Sequence, residues 1–164
     1  MRKIAGRALV LLMLAILATG CDNQRVAKLE EGVSTEADVR QQFGAPAQVS
    51  TEPDGSRIFE YPRQPEGYAN YLITIGPDGK MSSLRQLLTE ANFAKVTPGL
   101  DKGQVLKMLG KPAKTQFFQL KGEEVWDWRF RTNQLAKVFS VIYSGEGRVL
   151  RTGIADDPRD STTH

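Results

Sequence analysis

The stretch "GLDKGQVLKMLGKP", residues Gly99–Pro112, contains both the start and the end signals of a short helix. Asp101 is a residue type that caps helix amino termini, and Gln104, three positions later, completes a capping box. Val105 and Leu109 are four positions apart and therefore lie on one helix face. The glycine that follows Leu109 suits the left-handed residue at a helix end, and the proline two positions later prevents continuation. The stretch therefore predicts one short, one-sided helix.

An earlier stretch, "GVSTEADVRQQFGAP", residues Gly32–Pro46, carries the same signals 66 positions before the second set. Thr35 stands at the capping position and Asp38 at the capping-box position. Val39 and Phe43 form the apolar pair, and a glycine and a proline again follow. Because the positions with a structural role match and the others do not, the sequence predicts a duplicated unit.

The match continues on both sides of the two helices. Upstream, "VAKLEEGV" from Val26 aligns with "FAKVTPGL" from Phe93, which predicts a first short helix in each copy. Downstream, "FEY" at residues 59–61 aligns with "WDW" at residues 126–128. Alternation of aromatic and acidic residues is typical of a strand with one buried face. Trp126 and Trp128 are therefore interpreted as core residues, with a ligand platform as the alternative.

Each copy ends in a predicted β-hairpin. "LITIGPDGKM" in residues 72–81 and "SVIYSGEGRV" in residues 140–149 each join two apolar stretches by a tight turn. The predicted fold class is α+β, with two tandem units of two helices and a three-stranded antiparallel sheet. We place the units at residues 21–85 and 86–153, followed by a polar tail at 154–164. Units of this size are near the lower limit for an independent core, so we expect them to pack together.

The amino terminus has the layout of a secretory signal. Basic residues precede an apolar run of 13 residues, Ala8–Gly20, which is shorter than the roughly 20 residues of a membrane-spanning helix. Cys21, the single cysteine of the chain, follows directly. This arrangement resembles the lipobox of bacterial lipoproteins, which implies removal of residues 1–20 and acylation of Cys21. The alternative is a free or buried thiol beside an ordinary cleavage site.

Acylation of Cys21 would anchor the protein to a membrane without a spanning helix. Asp22 resembles the signal that retains enterobacterial lipoproteins in the inner membrane, so either membrane is left open. Without residues 1–20 the chain has 19 basic and 19 acidic side chains. Such a balance lacks the strongly basic surface of nucleic-acid-binding proteins, so we expect no nucleic-acid partner.

The sequence contains little that favours catalysis. The one histidine is the last residue, His164, and there is no cluster of cysteine and histidine for a metal. The carboxylates Glu123, Glu124 and Asp127 are the nearest candidates for an acid–base pair, but a solvated surface is the preferred interpretation. We therefore predict a protein that is not an enzyme and has no cofactor.

Two segments are candidates for contact with a partner protein. "PRQPEGYANY", residues 62–71, carries Tyr68 and Tyr71 in a loop with two prolines. "KTQFFQLKG" carries Phe117 and Phe118 side by side, and a strand there would direct one to each face. The alternative for both segments is ordinary loop and core.

The order of elements resembles the BamE family, also called SmpA or OmlA. The first unit departs from the pattern at Phe43, Phe59 and Tyr61, which replace a leucine and two tryptophans. The second unit matches at Gly99, Leu100, Gln104, Val105, Leu109, Gly110, Pro112, Trp126 and Trp128.

The resemblance implies a small lipoprotein that faces the periplasm and is associated with the machine inserting β-barrel proteins into the bacterial outer membrane. Family members usually carry one unit, whereas two tandem units are similar to the β-lactamase inhibitor protein fold. The function implied is therefore a membrane-anchored protein-binding scaffold in the envelope. An inhibitor-like or ligand-sensing module unrelated to barrel assembly is the alternative.

Overall fold

The computed structural model describes residues 22–160. The predicted signal peptide, Cys21 and His164 therefore lie outside the described residues. Within that range the helices are α1 (Asp22–Val26), α2 (Glu36–Phe43), α3 (Glu90–Phe93) and α4 (Lys102–Leu109). None of the helices in residues 22–160 combines the length and the apolar character needed to cross a bilayer.

Eight strands form two four-stranded antiparallel sheets in the described part of the chain. The first sheet has the order β1-β2-β3-β4, with β1 Gln48–Thr51, β2 Arg57–Pro62, β3 Asn70–Ile75 and β4 Met81–Gln86. The second has the order β5-β6-β7-β8, with β5 Lys114–Phe118, β6 Glu123–Thr132, β7 Leu135–Tyr143 and β8 Val149–Asp156. The α+β class is confirmed.

The prediction of three strands per sheet is wrong, because each sheet has an additional outer strand, β1 or β5. No residue of either strand is buried. These strands are held mainly by backbone hydrogen bonds to one neighbour, so the alternation of buried and exposed residues that marks a strand in a sequence is absent.

Three element boundaries also differ from the prediction. The first helix of each unit ends, rather than begins, at Val26 and Phe93. Strand β8 continues to Asp156, and Asp157 is buried. The residues after 153 therefore start as sheet rather than as a polar tail, because residues 154–156 pair with residues 137–139 of β7. Asp157 then forms an ion pair with Arg129 of β6.

Both capping boxes form as predicted. Thr35 Oγ1 accepts a hydrogen bond from the Asp38 amide at 3.3 Å, and the Asp38 carboxylate accepts one from the Thr35 amide at 2.8 Å. In α4 the Gln104 amide donates to Asp101 at 2.8 Å, and the Asp101 amide donates to Gln104 at 2.9 Å. These bonds satisfy amides that a helix start leaves without partners.

Each unit buries one helix against one sheet face in an equivalent way. Val39 and Val105 are both completely buried. Tyr61 donates its hydroxyl to the carbonyl of Gly44 at 3.0 Å, and the indole of Trp128 donates to the carbonyl of Gly110, also at 3.0 Å. In both units the strand aromatic thus caps the end of the helix, and the predicted duplication holds at the level of individual contacts.

The two units are joined by buried polar contacts. The side-chain amide of Asn70, at the start of β3, donates to the carbonyls of Leu109 and Lys111 at 2.7 and 2.9 Å. Gln64 donates its side-chain amide to the Arg129 carbonyl at 2.8 Å and accepts from the Arg129 amide at 3.1 Å. These bonds connect the β2–β3 loop and β3 of the first unit to the end of α4 and to β6 in the second.

Candidate protein-binding surface

The hairpin formed by β5 and β6 exposes a group of large apolar side chains at its tip. Phe117 is 57% exposed, Phe118 is 40% exposed, and Leu120 in the turn is fully exposed. We call residues 114–123 the apolar hairpin. Contiguous exposed apolar residues on a soluble domain favour contact with another molecule.

The equivalent hairpin of the first unit is polar. Strand β1 pairs with β2 from Gln48 opposite Glu60, as β5 pairs with β6 from Lys114 opposite Asp127. In this common register Thr51 corresponds to Phe117, Glu52 to Phe118 and Asp54 to Leu120. The scaffold therefore does not require apolar residues at the hairpin tip.

Ion pairs neutralise Glu123 and Glu124, which lie opposite Phe118 and Phe117 near the tip of the β5–β6 hairpin. Glu123 accepts two hydrogen bonds of 2.9 Å from Arg151, which lower the pKa of its carboxyl. Glu124 pairs with Lys102 and also accepts from the Trp126 indole at 2.5 Å, and the Lys102 contact lowers the pKa of Glu124 most.

The basic residues of the apolar hairpin are less constrained. Lys114 and Lys121 take part in no ion pair within the described residues. The charge that the hairpin offers to a partner is therefore positive.

The three carboxylates considered for catalysis do not form an acid–base pair. Glu123 and Glu124 are bound to separate cations, and Asp127 accepts a hydrogen bond from Ser140 at 2.6 Å. A carboxyl with a lowered pKa stays ionised at neutral pH and is a poor proton donor. Among residues 22–160 no group of acidic, cysteine or histidine side chains has the geometry to hold a metal ion.

The two predicted tyrosine contacts lie in different environments. Tyr71 is only 5% exposed and packs edge-on against Phe43 at 5.3 Å between ring centroids, so the prediction of a surface contact is wrong for it. Tyr71 belongs to β3 and points to the helix side of the sheet. Tyr68 is half-buried at the junction of the units, where the Arg131 guanidinium lies 4.4 Å from its ring centroid. Its role in partner contact stays a prediction.

The two tryptophans of β6 are core residues, as interpreted from the sequence. Trp128 is completely buried, and half-buried Trp126 packs against the Tyr143 ring at 5.1 Å. Burial raises the pKa of the Tyr143 hydroxyl. Neither tryptophan forms an open ligand platform.

A groove between the two units was not anticipated from the sequence. It has a volume of about 390 Å³ and lies between the outer face of the first sheet, including Ile58 and Leu72, and α4, which contributes Leu106 and Lys107. Its walls come from separate units, so no local pattern could reveal it. The groove is a second surface on which a ligand could be held.

Comparison with known proteins gave matches among solved structures alone. No family model matches this sequence. No curated protein matches it.

Three solved structures are similar over part of the chain. One, provisionally assigned as the osmotically inducible lipoprotein OsmE, is 22% identical, covers 43% of this chain and 82% of its own, and has a TM-score of 0.38. Another, provisionally assigned as a β-lactamase inhibitor protein from Streptococcus mutans, is 13% identical. It covers 75% of this chain and 83% of its own, and has a TM-score of 0.35. A third, the DUF4309 family protein YjgB from Bacillus subtilis, is 16% identical. It covers 79% of this chain and 82% of its own, and has a TM-score of 0.31.

Two of these structures are thus described as a lipoprotein and as a β-lactamase inhibitor protein. Since every TM-score is below 0.5, no conclusion about function follows from the likeness.

Proposed function

We propose that this protein is a lipoprotein of the bacterial cell envelope, anchored through Cys21, that faces the periplasm and binds another protein without catalysing a reaction. The partner we propose is a subunit of the machine that assembles outer-membrane β-barrels. The sequence pattern at residues 8–21 supports the anchor, and the resemblance of the second unit to the BamE pattern supports this choice of partner.

One observation carries the protein-binding part of the proposal. The second unit exposes Phe117, Phe118 and Leu120 where the equivalent hairpin of the first unit is polar. Exposing apolar side chains forgoes roughly 25 cal/mol for each Å² that could have been buried. The first unit has the same scaffold with polar residues at these positions. The exposed apolar side chains are therefore not required for folding, whereas burial by a partner would account for them.

The carboxylates support a function without catalysis. Glu123 in the apolar hairpin and Glu124 directly after it form ion pairs with Arg151 and Lys102. Their lowered pKa values keep them charged at neutral pH, where they act as ion-pair partners rather than proton carriers.

The groove between the units favours a second candidate function, a ligand-sensing or inhibitor-like binding module. It combines apolar Leu72 and Leu106 with the charged side chains of Arg85 and Lys107. Concave sites of a few hundred Å³ lined in this way are typical of small-ligand binding.

Affinity purification from detergent-solubilised membranes distinguishes the two functions. We expect barrel-assembly subunits to co-purify with the wild-type chain and to be lost from Phe117→Ser/Phe118→Ser. Val33→Ser is the matched control, because Val33 is 60% exposed in the first unit and lies outside the hairpin. If the assembly subunits are absent from the wild-type sample, the barrel-assembly role is rejected.

The anchor is tested separately. Cys21→Ser should abolish incorporation of radioactive palmitate into the protein, because the substitution removes the thiol that carries the acyl chain. A variant that is still labelled contradicts the proposed anchor.

A further inference from the structure

We propose that the apolar hairpin binds its partner by strand addition: an acidic, extended segment with apolar side chains at alternate positions pairs with the free edge of β5. This inference rests on the proposed protein-binding function and specifies its surface, its geometry and the chemistry of the partner.

The backbone of β5 has groups directed away from its own sheet. The Ala113 amide donates to the Asp127 carbonyl at 2.7 Å, so the backbone of Asp127 faces β5. Lys114 is the register partner of Asp127. Because backbone groups alternate in direction along an antiparallel strand, those of Thr115 and Phe117 point to the open side. An incoming strand can hydrogen-bond to them.

The first unit protects the far edge of its sheet, which is β4. The Leu84 amide points outward there and donates to the Glu31 carboxylate at 2.8 Å. A side chain from the same unit thus occupies the position that an added strand would need. Strand β5 has no comparable cover among the described residues.

The remaining two edges differ from β5 in chemistry. Strand β1 leads into Glu52 and Asp54, which are polar and would repel an acidic segment. Strand β8 is exposed, but Arg151 is paired with Glu123 of β6 and Asp156 with Lys137 of β7. In the described part of the chain β5 is the edge that combines open backbone groups, exposed aromatic rings and unpaired cations.

The side chains of β5 indicate what the added strand carries. Phe117 and Phe118 lie on opposite faces of the sheet, since successive residues of a strand alternate. Apolar residues at alternate positions of the partner can therefore cover one of the rings in register. Lys114 and Lys121, at the two ends of the segment, complement acidic residues. The same two cations would repel each other if two copies of β5 paired.

The test uses a peptide in which aspartate and valine alternate over seven residues, and a control peptide with lysine in place of aspartate. The full-length chain in micelles of an uncharged detergent is titrated with each peptide, and amide hydrogen exchange is measured by NMR. We expect the aspartate peptide to slow exchange at Thr115 and Phe117. Val49 and Thr51 are the internal controls in β1 and should not change. The lysine peptide should have no effect.

Proline variants test the backbone contact. Thr115→Pro removes an outward N–H without removing a bond to β6 and should raise the dissociation constant of the aspartate peptide about tenfold. Val49→Pro makes the equivalent change in β1, where the Ala47 amide donates to the Glu60 carbonyl at 2.8 Å in the same pattern. It should leave binding unchanged. If Thr115→Pro fails to fold, the hydrogen-exchange measurement on the wild-type chain still tests whether the peptide pairs with β5.

Three results would overturn the inference. The first is protection at Thr152 and Ile154 of β8 in place of β5. The second is no binding of the aspartate peptide while co-purification of a partner still depends on Phe117 and Phe118, in which case the proposed function survives and strand addition does not. The third is protection of β5 by phosphatidylglycerol vesicles and not by the peptide, which would make the hairpin a membrane contact.

Discussion

The two units resemble each other in their interiors but differ in their outer strands. Val39 and Val105 are both completely buried, and each shares a core cluster with an aromatic residue that donates a hydrogen bond to the carbonyl of the glycine after the helix. At the hairpin, Thr51 in one unit corresponds to Phe117 in the other. Close packing restricts change in the interior, whereas an edge strand tolerates it. New binding chemistry is therefore expected at the edges of a duplicated fold.

A second difference lies at the opposite edge of each sheet. Glu31 covers the outward amide of Leu84 in the first unit, while the aligned residue in the second unit is Pro98, which has no carboxylate. The first sheet is thus protected at one edge and polar at the other. The second sheet lacks a comparable side-chain cover at β5 and at the β8 position that corresponds to Leu84, which favours the second unit for strand pairing with other molecules.

The largest expected effect tests whether the two interiors are equivalent. Tyr61→Ala and Trp128→Ala each remove a fully enclosed aromatic ring and its hydrogen bond. Each should lower the free energy of unfolding by about 3–5 kcal/mol. Urea denaturation followed by circular dichroism measures both. If one variant lost less than about 1 kcal/mol, the interiors would not be equivalent.

A smaller effect concerns an ion pair present in the second unit. The Asp157 carboxylate is fully enclosed and pairs with Arg129. Asp157→Ala leaves this guanidinium buried without its counter-charge and should cost about 3 kcal/mol. Asp156→Ala is the matched control, since its side chain is 85% exposed and should cost less than about 0.5 kcal/mol. If both variants were destabilised equally, the buried Asp157–Arg129 ion pair would contribute no more to stability than an exposed surface ion pair.

The two capping boxes should contribute similar amounts. Thr35→Ala and Asp101→Ala each leave an amide of the first helical turn without its side-chain acceptor. We expect a loss of about 1 kcal/mol for each. Thermal unfolding of the two variants in parallel measures the losses. A much larger cost in one unit would show that its helix depends on the cap more than on packing.

The smallest expected effect is a dependence of stability on pH. Contact with Lys102 lowers the pKa of Glu124, and contact with Arg40 lowers the pKa of Glu36. A lowered folded-state pKa stabilises the protein above the unfolded-state value of about 4.3, and this contribution is lost as the pH falls through the folded-state pKa. Glu124→Gln should flatten the loss of stability below about pH 4.5 in acid titrations. An unchanged acid profile would contradict the assigned ion pair.

The sequence predicted those helices whose ends are fixed by residues close together in the chain. Asp101 and Gln104 define a capping box through residues three positions apart, so the helix could be placed from the sequence. Strand β5 depends on backbone bonds to β6, which no side-chain pattern records. Tyr71 was misplaced because it lies at the end of a loop segment, and its burial is determined by pairing with Tyr61 on β2.

The candidate site was predicted in part. The adjacent Phe117 and Phe118 marked it, but Leu120 was missed, although alignment of "FFQLKG" with "TEPDGS" of the first unit would have shown the change from polar to apolar residues. That Lys114 and Lys121 lack ion pairs within residues 22–160 is a property of the folded structure. A comparison of the two copies position by position is therefore the sequence signal that best locates the site.

Site-specific photocrosslinking in intact cells tests the central claim most directly. The photoreactive amino acid p-benzoylphenylalanine is placed at position 118 in one strain and at the equivalent position, 52, in another. We expect a crosslinked protein partner from position 118 and none from position 52, with both chains folded and equally abundant. Crosslinks of equal strength from both positions, or from position 52 alone, would contradict it.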